Sequence, residues 1–287
     1  MMSLPARAGR HCYGALNPLH SALYFAPDLA KELRPHGVDH PSAVYFAGRA
    51  APLGAVGAAT VSATFYNFRP ELVARHVPRV WELVTPAAAL EARLRATDSM
   101  LHRLLGQDAL TSPEMTEAAD LALRAAEGCA WYGRPLYAAH AALPVPREPH
   151  LRLWHAATLL REHRGDGHLA VLLRERLDPL EALVSHTASG HGMTPSWVLT
   201  TRGWTQQDWA GAQDRLRRRG LLAADGELTE DGMALRKEIE HETDRLDLAP
   251  YEHLGADGVQ RLTELAGAFA LRAAEAGAFP ADLFGKG

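Results

Sequence analysis

Proline directly follows a helix-capping residue at several places in this 287-residue chain, and this pattern limits the fold more than any other feature. Examples are Asn17-Pro18, Thr85-Pro86, Ser112-Pro113 and Asp178-Pro179. Proline suits the first position of a helix because the N–H that it lacks would have no partner there. Asn, Thr, Ser and Asp are the residues that cap such an end. Amphipathic patterns follow at 86–105 and 113–127, whereas strand-like alternation is scarce. The sequence therefore predicts a mainly α fold.

The segment "LPVPREPH", residues 143–150, contains three prolines in eight residues and separates two helical patterns. Such a segment is typical of a linker. We therefore expect an N-terminal helical domain at 1–145, a second domain at 146–250, and a C-terminal helix and tail at 251–287. The helix within that tail, at about 256–277, is expected to pack back onto the protein or to form a homodimer.

Composition and charge favour a cytoplasmic protein. The two cysteines form no CxxC pair, which suits a reducing compartment. No apolar run approaches the roughly 20 residues that a membrane-spanning helix needs, so no membrane partner is expected. The net charge of −4 gives no overall basic field to attract nucleic acid. Any contact with DNA must therefore depend on a local basic surface.

The densest polar run in the chain is "REHRGDGH", residues 161–168. Its glycines predict a corner between helices at about 150–163 and 167–177, with Gly165 ending the first helix and Asp166 capping the second. A corner does not require Arg161, Glu162, His163 or His168. Because Arg161 and Glu162 follow an almost wholly apolar helix, and buried charges are costly unless paired, we expect an internal ion pair or a polar pocket there.

Several functions remain open for this run. Arg161, Glu162, His163 and His168 could anchor a polar ligand, or the run could be purely structural. Glu162, His163 and His168 are also candidate catalytic residues, since histidine beside a carboxylate suits acid/base chemistry near neutral pH. The histidine spacing matches no zinc motif, so no metal is predicted, and no cofactor is assigned.

The segment from Arg49 to Pro70 is rich in alanine and glycine and ends in an aromatic and amide cluster. One interpretation is a tightly packed helix followed by a turn. The other is a pocket wall, in which small residues make room and Arg49, Tyr66 and Asn67 orient a ligand. The lysine of a phosphate-binding P-loop is absent.

Residues 190–247 carry a second pattern. Thr205 precedes a helix that ends in "RLRRRGLL", Asp225-Gly226 is a hairpin signal, and Thr229 caps a charged helix. This order resembles the multiple-antibiotic-resistance-regulator type of winged helix. The resemblance implies a winged helix-turn-helix domain with a short two-stranded wing.

A second resemblance covers most of the chain. The segments "YFAGRAAPLG", "TFYNFRPELV", "GRPLYAAHAALPVP", "LWHAATLLREHRGDGH" and "TRGWTQQDW" are similar to an actinobacterial family described only as helix-turn-helix proteins. This resemblance supports the architecture and implies no particular chemistry.

The charge around the expected recognition helix gives evidence both for and against DNA binding. Residues 200–222 hold five arginines and two acids, and Arg202, Gln206, Gln207 and Arg215 are the candidate DNA-binding residues. However, the predicted wing has no Arg or Lys, and residues 223–247 hold nine acids and three bases.

The preferred hypothesis is a small-molecule-binding protein on a winged-helix scaffold, with a polar site between the two domains and acid/base chemistry left open. The alternatives are a ligand-responsive DNA-binding regulator and a structural interaction module.

Overall fold

The computed structural model describes residues 4–283, and α-helices dominate that part of the chain. The predicted mainly α fold is therefore confirmed. None of these helices combines the length and the apolar character that a membrane span requires. The described helices, in chain order, are α1 (Ala8–Ser21), α2 (Asp28–Leu33), α3 (Pro41–Ala50), α4 (Ala58–Phe65), α5 (Pro70–His76), α6 (Val80–Leu83), α7 (Pro86–Leu110), α8 (Pro113–Ala126), α9 (Pro135–Ala141), α10 (Pro149–Arg174), α11 (Pro179–Ala188), α12 (Pro195–Arg202), α13 (Gln206–Arg218), α14 (Glu230–Leu246), α15 (Ala249–Leu254) and α16 (Ala256–Glu275).

Three of the four predicted capping residues are confirmed. Thr85, Ser112 and Asp178 each accept a backbone N–H from the first turn of the following helix, which begins with proline. The prediction at Asn17-Pro18 is wrong, because Pro18 lies inside α1. The buried face of that helix continues past the proline, with Leu16 before it and Leu19 after it. Burial on both sides outweighs the hydrogen bond that Pro18 cannot make.

The chain divides into two compact units, each built from separate segments. Unit 1 contains the residues up to Ala55 together with Val80–Gly167 and Asp244–Phe279. Unit 2 contains Val56–Arg79, His168–Thr243 and the residues from Pro280 onward. The predicted boundaries at residues 145 and 250 separate domains that would fold independently. The division into compact units does not test this, so these boundaries stay a prediction.

Unit 1 is a helical assembly with a core of small and aliphatic side chains. Helices α1 and α16 pack along each other, α2 and α3 pack on α7, and α8 packs on α15 and α16. Gly9 allows close approach in this core, since a Cβ atom there would lie 2.6 Å from the ring of Tyr251. The core leaves several charged groups of α7 and α10 inside the protein, and these form the candidate site.

Unit 2 contains a helix-turn-helix. Helix α11 packs against α12 and α13, and Val198, Trp209 and Leu216 are buried. The turn between α12 and α13 is made at Gly203, whose φ of 80° favours glycine. A Cβ atom at this position would also lie 2.8 Å from the Cβ of Leu72.

The expected two-stranded wing is not supported among the described residues. One isolated antiparallel bridge joins Leu222 and Leu228, around a turn in which Gly226 has a φ of 91°. Helix α13 and its C-cap end at Arg219 and helix α14 begins at Glu230. The intervening residues make the hairpin turn, as Asp225-Gly226 predicts, and the pairing beside it is limited to that bridge.

The predicted corner at "REHRGDGH" is wrong, because α10 runs without a break from Pro149 to Arg174. The carboxylate of Asp166 accepts the backbone N–H groups of Leu136 and Tyr137, so it caps α9 and not its own helix. Gly167 provides space, since a Cβ atom there would lie 2.6 Å from a guanidinium nitrogen of Arg134. Asp166, which indicated a helix start, and the neighbouring Gly167 therefore serve tertiary contacts along one unbroken helix.

Candidate functional site

Glu162 on α10 lies at the centre of a buried ion pair in unit 1. Its side chain is 1% exposed and accepts a 3.1 Å hydrogen bond from Arg49 of α3, with a second bond from the neighbouring Arg161. Burial by itself raises the pKa of Glu162. The guanidinium groups of Arg161 and Arg49 lower it by more, so the pKa lies well below its usual range. The internal ion pair expected from the sequence is therefore present, and Arg49 is its partner.

A third arginine, Arg93 of α7, lies in the same interior without a carboxylate of its own. The residue is 3% exposed, and its Nε and Nη2 atoms have no hydrogen-bond partner among residues 4–283. Its guanidinium carbon lies 4.7 Å from the ring centre of Trp154, in a cation–π contact. Burial lowers the pKa of Arg93 below its usual value, yet an arginine stays protonated in proteins. A buried cation is thus left with spare hydrogen-bond donors.

Neutral polar side chains surround these charges. His20 contacts the Thr158 hydroxyl at 2.8 Å and the Tyr24 hydroxyl at 3.1 Å. Burial, reinforced by Arg161, lowers the pKa of His20 well below 6.5, and burial together with Arg93 does the same for His140. The Nε2 atom of His140 has no hydrogen-bond partner among the described residues. Both histidines are therefore neutral at pH 7 and add no charge.

We call Arg49, Arg93, Arg161 and Glu162 the arginine cluster. With the nearby histidines neutral, it holds three positive charges and one negative charge, a net charge of +2. The side chains of Arg49 and Arg161 remain 12% and 21% exposed, so the cluster is not wholly closed to solvent. A buried charge excess of this kind is costly unless an anion compensates it.

His163 belongs to a different network of unit 1, although it follows Glu162 directly. Its Nδ1 atom lies 2.7 Å from the carboxylate of Asp247, and both residues are at most 2% exposed. Arg164 bonds Asp244 at 2.8 Å, and Arg134 donates to the backbone carbonyls of His163 and Leu246. These contacts tie α10 to the 244–247 segment, and they separate His163 from the arginine cluster.

The other predicted ligand-binding residues lie in unit 2 and have partners there. The Tyr66 hydroxyl donates to the carbonyl of Leu177 at 2.5 Å. The carbonyl of Asn67 accepts the indole N–H of Trp204 at 3.0 Å. His168 contacts the Thr243 hydroxyl at 2.9 Å. The small residues before Tyr66 are not a packed stripe, since Gly57 and Ala59 are exposed. A single site that unites these residues with Arg49, Arg161 and Glu162 stays a prediction.

The candidate DNA-binding residues of the helix-turn-helix include exposed side chains and side chains that make contacts within unit 2. Gln206 and Gln207 are exposed in the first turn of α13, where Thr205 and Asp208 form a capping box. Arg202 lies 4.5 Å from the ring centre of Phe68. Arg215 bonds Asp178 at 2.7 Å and Glu181 at 3.2 Å. Two of the four candidate DNA-binding residues are therefore engaged in contacts within unit 2.

Sequence reasoning missed Arg93, His20 and His140. A usable signal existed for Arg93, because it falls on the apolar face of the 86–105 pattern, four residues after Ala89 and seven before Met100. A charged residue on a core-facing stripe is an expected site for a buried pair. His20 and His140 gave no such signal, since their neighbours come from distant parts of the chain.

One group of side chains in the described residues has the spacing of metal ligands. The ligand atoms of Asp98, His102 and His150 all lie within 4.8 Å of one another. Glu162, His163, Asp166 and His168 do not form such a group among the described residues.

Comparison with known proteins identifies the family. No curated protein and no solved structure matches the chain significantly. A family model described as a helix-turn-helix family matches residues 9–280, nearly the whole chain. The match covers both compact units and includes the helix-turn-helix of α12 and α13. The chain therefore belongs to this helix-turn-helix family.

Proposed function

We propose that this protein binds a small organic anion at the arginine cluster of unit 1. The observation that carries the proposal is the buried guanidinium of Arg93, which has spare donors and no carboxylate partner. Guanidinium groups are well suited to carboxylates and phosphates because their N–H groups match two oxygen atoms at once. One such oxyanion would balance half of the excess charge and satisfy the donors of Arg93.

The surroundings of the cluster favour an organic anion over an inorganic one. Trp154 stacks with His20 at a centroid distance of 5.4 Å, and Tyr24 lies 5.1 Å from Tyr45. Ligand sites usually combine such aromatic walls with a few polar groups that fix orientation. The neutral His20 and His140 supply further polar contacts without adding charge.

Isothermal titration calorimetry with benzoate and with inorganic phosphate tests this function. We expect the wild-type protein to bind at least one of the two, with benzoate the tighter, and Arg93→Met to bind it at least tenfold more weakly. The unliganded Arg93→Met variant should be as stable as wild type or more stable, because it removes an unpaired buried charge. This combination separates a ligand-binding role from a structural one.

Arg95→Met is the matched control, since Arg95 lies on the same helix but is 55% exposed and pairs with Glu32. It should bind as wild type does. The proposal fails if neither anion binds to wild type, or if Arg93→Met binds as tightly as Arg95→Met. Native mass spectrometry of the purified protein would show any anion that remains bound.

DNA binding through α12 and α13 is the second candidate, and the family match supports it. Gln206 and Gln207 are exposed where a recognition helix contacts base edges. Regulation of that binding by the anion would make the protein a ligand-responsive regulator. A winged helix of the multiple-antibiotic-resistance-regulator type, a cytoplasmic location and a homodimer stay predictions.

An electrophoretic shift with the DNA upstream of the coding region tests this candidate. Low salt should give a complex that weakens steeply as salt rises. Gln206→Ala with Gln207→Ala should relax its sequence preference, and absence of any complex at low salt would exclude it. Anion binding at the arginine cluster is measured without DNA, so each experiment tests one function independently of the other.

A further inference from the structure

A second polar cluster lies on unit 1, formed by two helices. Asp98 and His102 are one turn apart on α7, so their side chains share one face. His150 is the second residue of α10. The Nε2 atom of His150 lies 2.7 Å from Oδ1 of Asp98, and the Nε2 atom of His102 lies 3.6 Å from the same oxygen.

We propose that Asp98, His102 and His150 bind a zinc ion. Two imidazole nitrogens and one carboxylate oxygen are donors that zinc prefers, with bonds of roughly 2.0–2.2 Å. In a tetrahedral arrangement, donor atoms at that distance from the metal are roughly 3.3 Å apart. The observed separations of 2.7 and 3.6 Å lie on either side of this value, so small side-chain rotations complete the site.

The cluster is accessible and already partly ordered. The side chains of Asp98 and His102 are 43% and 42% exposed, whereas that of His150 is 9% exposed and held by Asp98. The neighbouring cations are engaged elsewhere, since Arg95 pairs with Glu32 and Arg152 pairs with Asp120. Three protein ligands leave the fourth position of a tetrahedral zinc ion for water, as in zinc sites that exchange ligands.

This site is separate from the arginine cluster. Asp98 follows Arg93 by five residues on α7, which places the two side chains roughly 140° apart around the helix axis. Arg93 is buried, whereas Asp98 is partly exposed. Zinc binding and anion binding therefore test different faces of the same helix.

Isothermal titration of the untagged full-length protein with zinc chloride tests the proposal. Wild type should bind one zinc ion at this site, and His102→Ala and Asp98→Asn should each weaken binding at least about tenfold, since even outer-shell changes cost roughly 10–100-fold. Cobalt(II) should give visible absorption bands of a four-coordinate site with nitrogen and oxygen ligands in wild type and not in His102→Ala.

His253→Ala is the matched control. His253 is 44% exposed and lies 3.3 Å from Glu127, so it is a histidine–carboxylate pair of similar exposure on unit 1. Zinc should bind to this variant as tightly as to wild type. The proposal is overturned if wild type binds no stoichiometric zinc, or if His102→Ala and Asp98→Asn both bind as His253→Ala does. Because His102 and Asp98 are both partly exposed, at least one variant should fold, which circular dichroism checks.

Discussion

Two buried glutamates, one in each unit, have similar partners, but the networks around them differ in charge balance. Glu162 of unit 1 accepts bonds from Arg49 and Arg161, and Glu181 of unit 2 accepts bonds from Arg215 and Arg219. Around Glu181, Asp178 supplies a second carboxylate to Arg215. Around Glu162, the additional residue is a third arginine, Arg93.

The network around Glu181 is balanced in charge, whereas the network around Glu162 carries excess positive charge. In unit 2 the two arginines that bond Glu181 are matched by two carboxylates, and Arg219 also donates to the carbonyls of Glu175 and Arg176. These two arginines are then less available to phosphates. In unit 1 the positive charge exceeds the negative charge inside the protein, where the low dielectric constant makes the attraction of an anion strongest. The same residue types thus stabilise a fold in one unit and provide a candidate site in the other.

The largest expected effect is on stability. Glu162→Gln should lower the free energy of unfolding by about 3–5 kcal/mol, because it leaves buried guanidinium groups without a counter-charge. Glu181→Gln should cost only about 1–2 kcal/mol. Arg215 and Arg219 are 39% and 33% exposed, and Arg215 keeps Asp178. Urea denaturation at pH 7 measures both.

The pH dependence of this difference has a defined sign. The folded pKa of Glu162 is lowered from 4.5, so its contribution is present above pH 4.5 and is lost as pH falls toward the folded value. The gap between wild type and Glu162→Gln should therefore shrink in acid. Equal costs for Glu162→Gln and Glu181→Gln at pH 7 would contradict the contrast between the two networks.

A smaller effect concerns one histidine in each unit whose pKa is lowered mainly by loss of solvent. Burial and Arg93 lower the pKa of His155 to about 4, and burial and Arg236 lower that of His186 to about 4. Each neutral histidine contributes stability above pH 6.5 that is lost as pH falls toward 4, by at most about 3 kcal/mol. Arg93→Met should raise the pKa of His155 and leave that of His186 unchanged.

Histidine NMR titration measures these two pKa values directly. Residue-level measurement is needed because Asp166 acts in the opposite sense. Burial raises its pKa to about 6, so the stability linked to its protonation is lost as pH rises through that value. An unchanged His155 in Arg93→Met would show that Arg93 does not act on it.

The smallest effect compares helix caps in the two units. Thr205→Ala should cost about 1 kcal/mol, because Thr205 and Asp208 bond each other's backbone N–H groups in a capping box. Thr85→Ala should cost about 0.5 kcal/mol, since Thr85 supplies one bond of 3.2 Å to the Ala88 N–H. Thermal unfolding of both variants measures which one loses more stability. A larger loss of stability for Thr85→Ala would contradict this prediction.

Local chemistry explains which features were predictable. Helix starts at Pro86, Pro113 and Pro179 depend on residues within one turn of each other, so the sequence predicts them. The buried charge of Arg161 and Glu162 was also predictable, because both follow an apolar helical stretch. The corner at Gly165 and the start at Pro18 were predicted wrongly, because burial and tertiary contacts outweighed the local preference for a break.

By itself, the sequence determined the helical class, several helix starts, the turn at Asp225-Gly226 and the need for a partner for Glu162. Only the tertiary structure decided that the partner is Arg49, that Arg93 adds a third charge, and that Asp98, His102 and His150 meet. Capping and periodicity act over a few residues along the chain. The balance of buried charge depends on side chains that lie up to 113 positions apart in sequence and come together only when the helices pack.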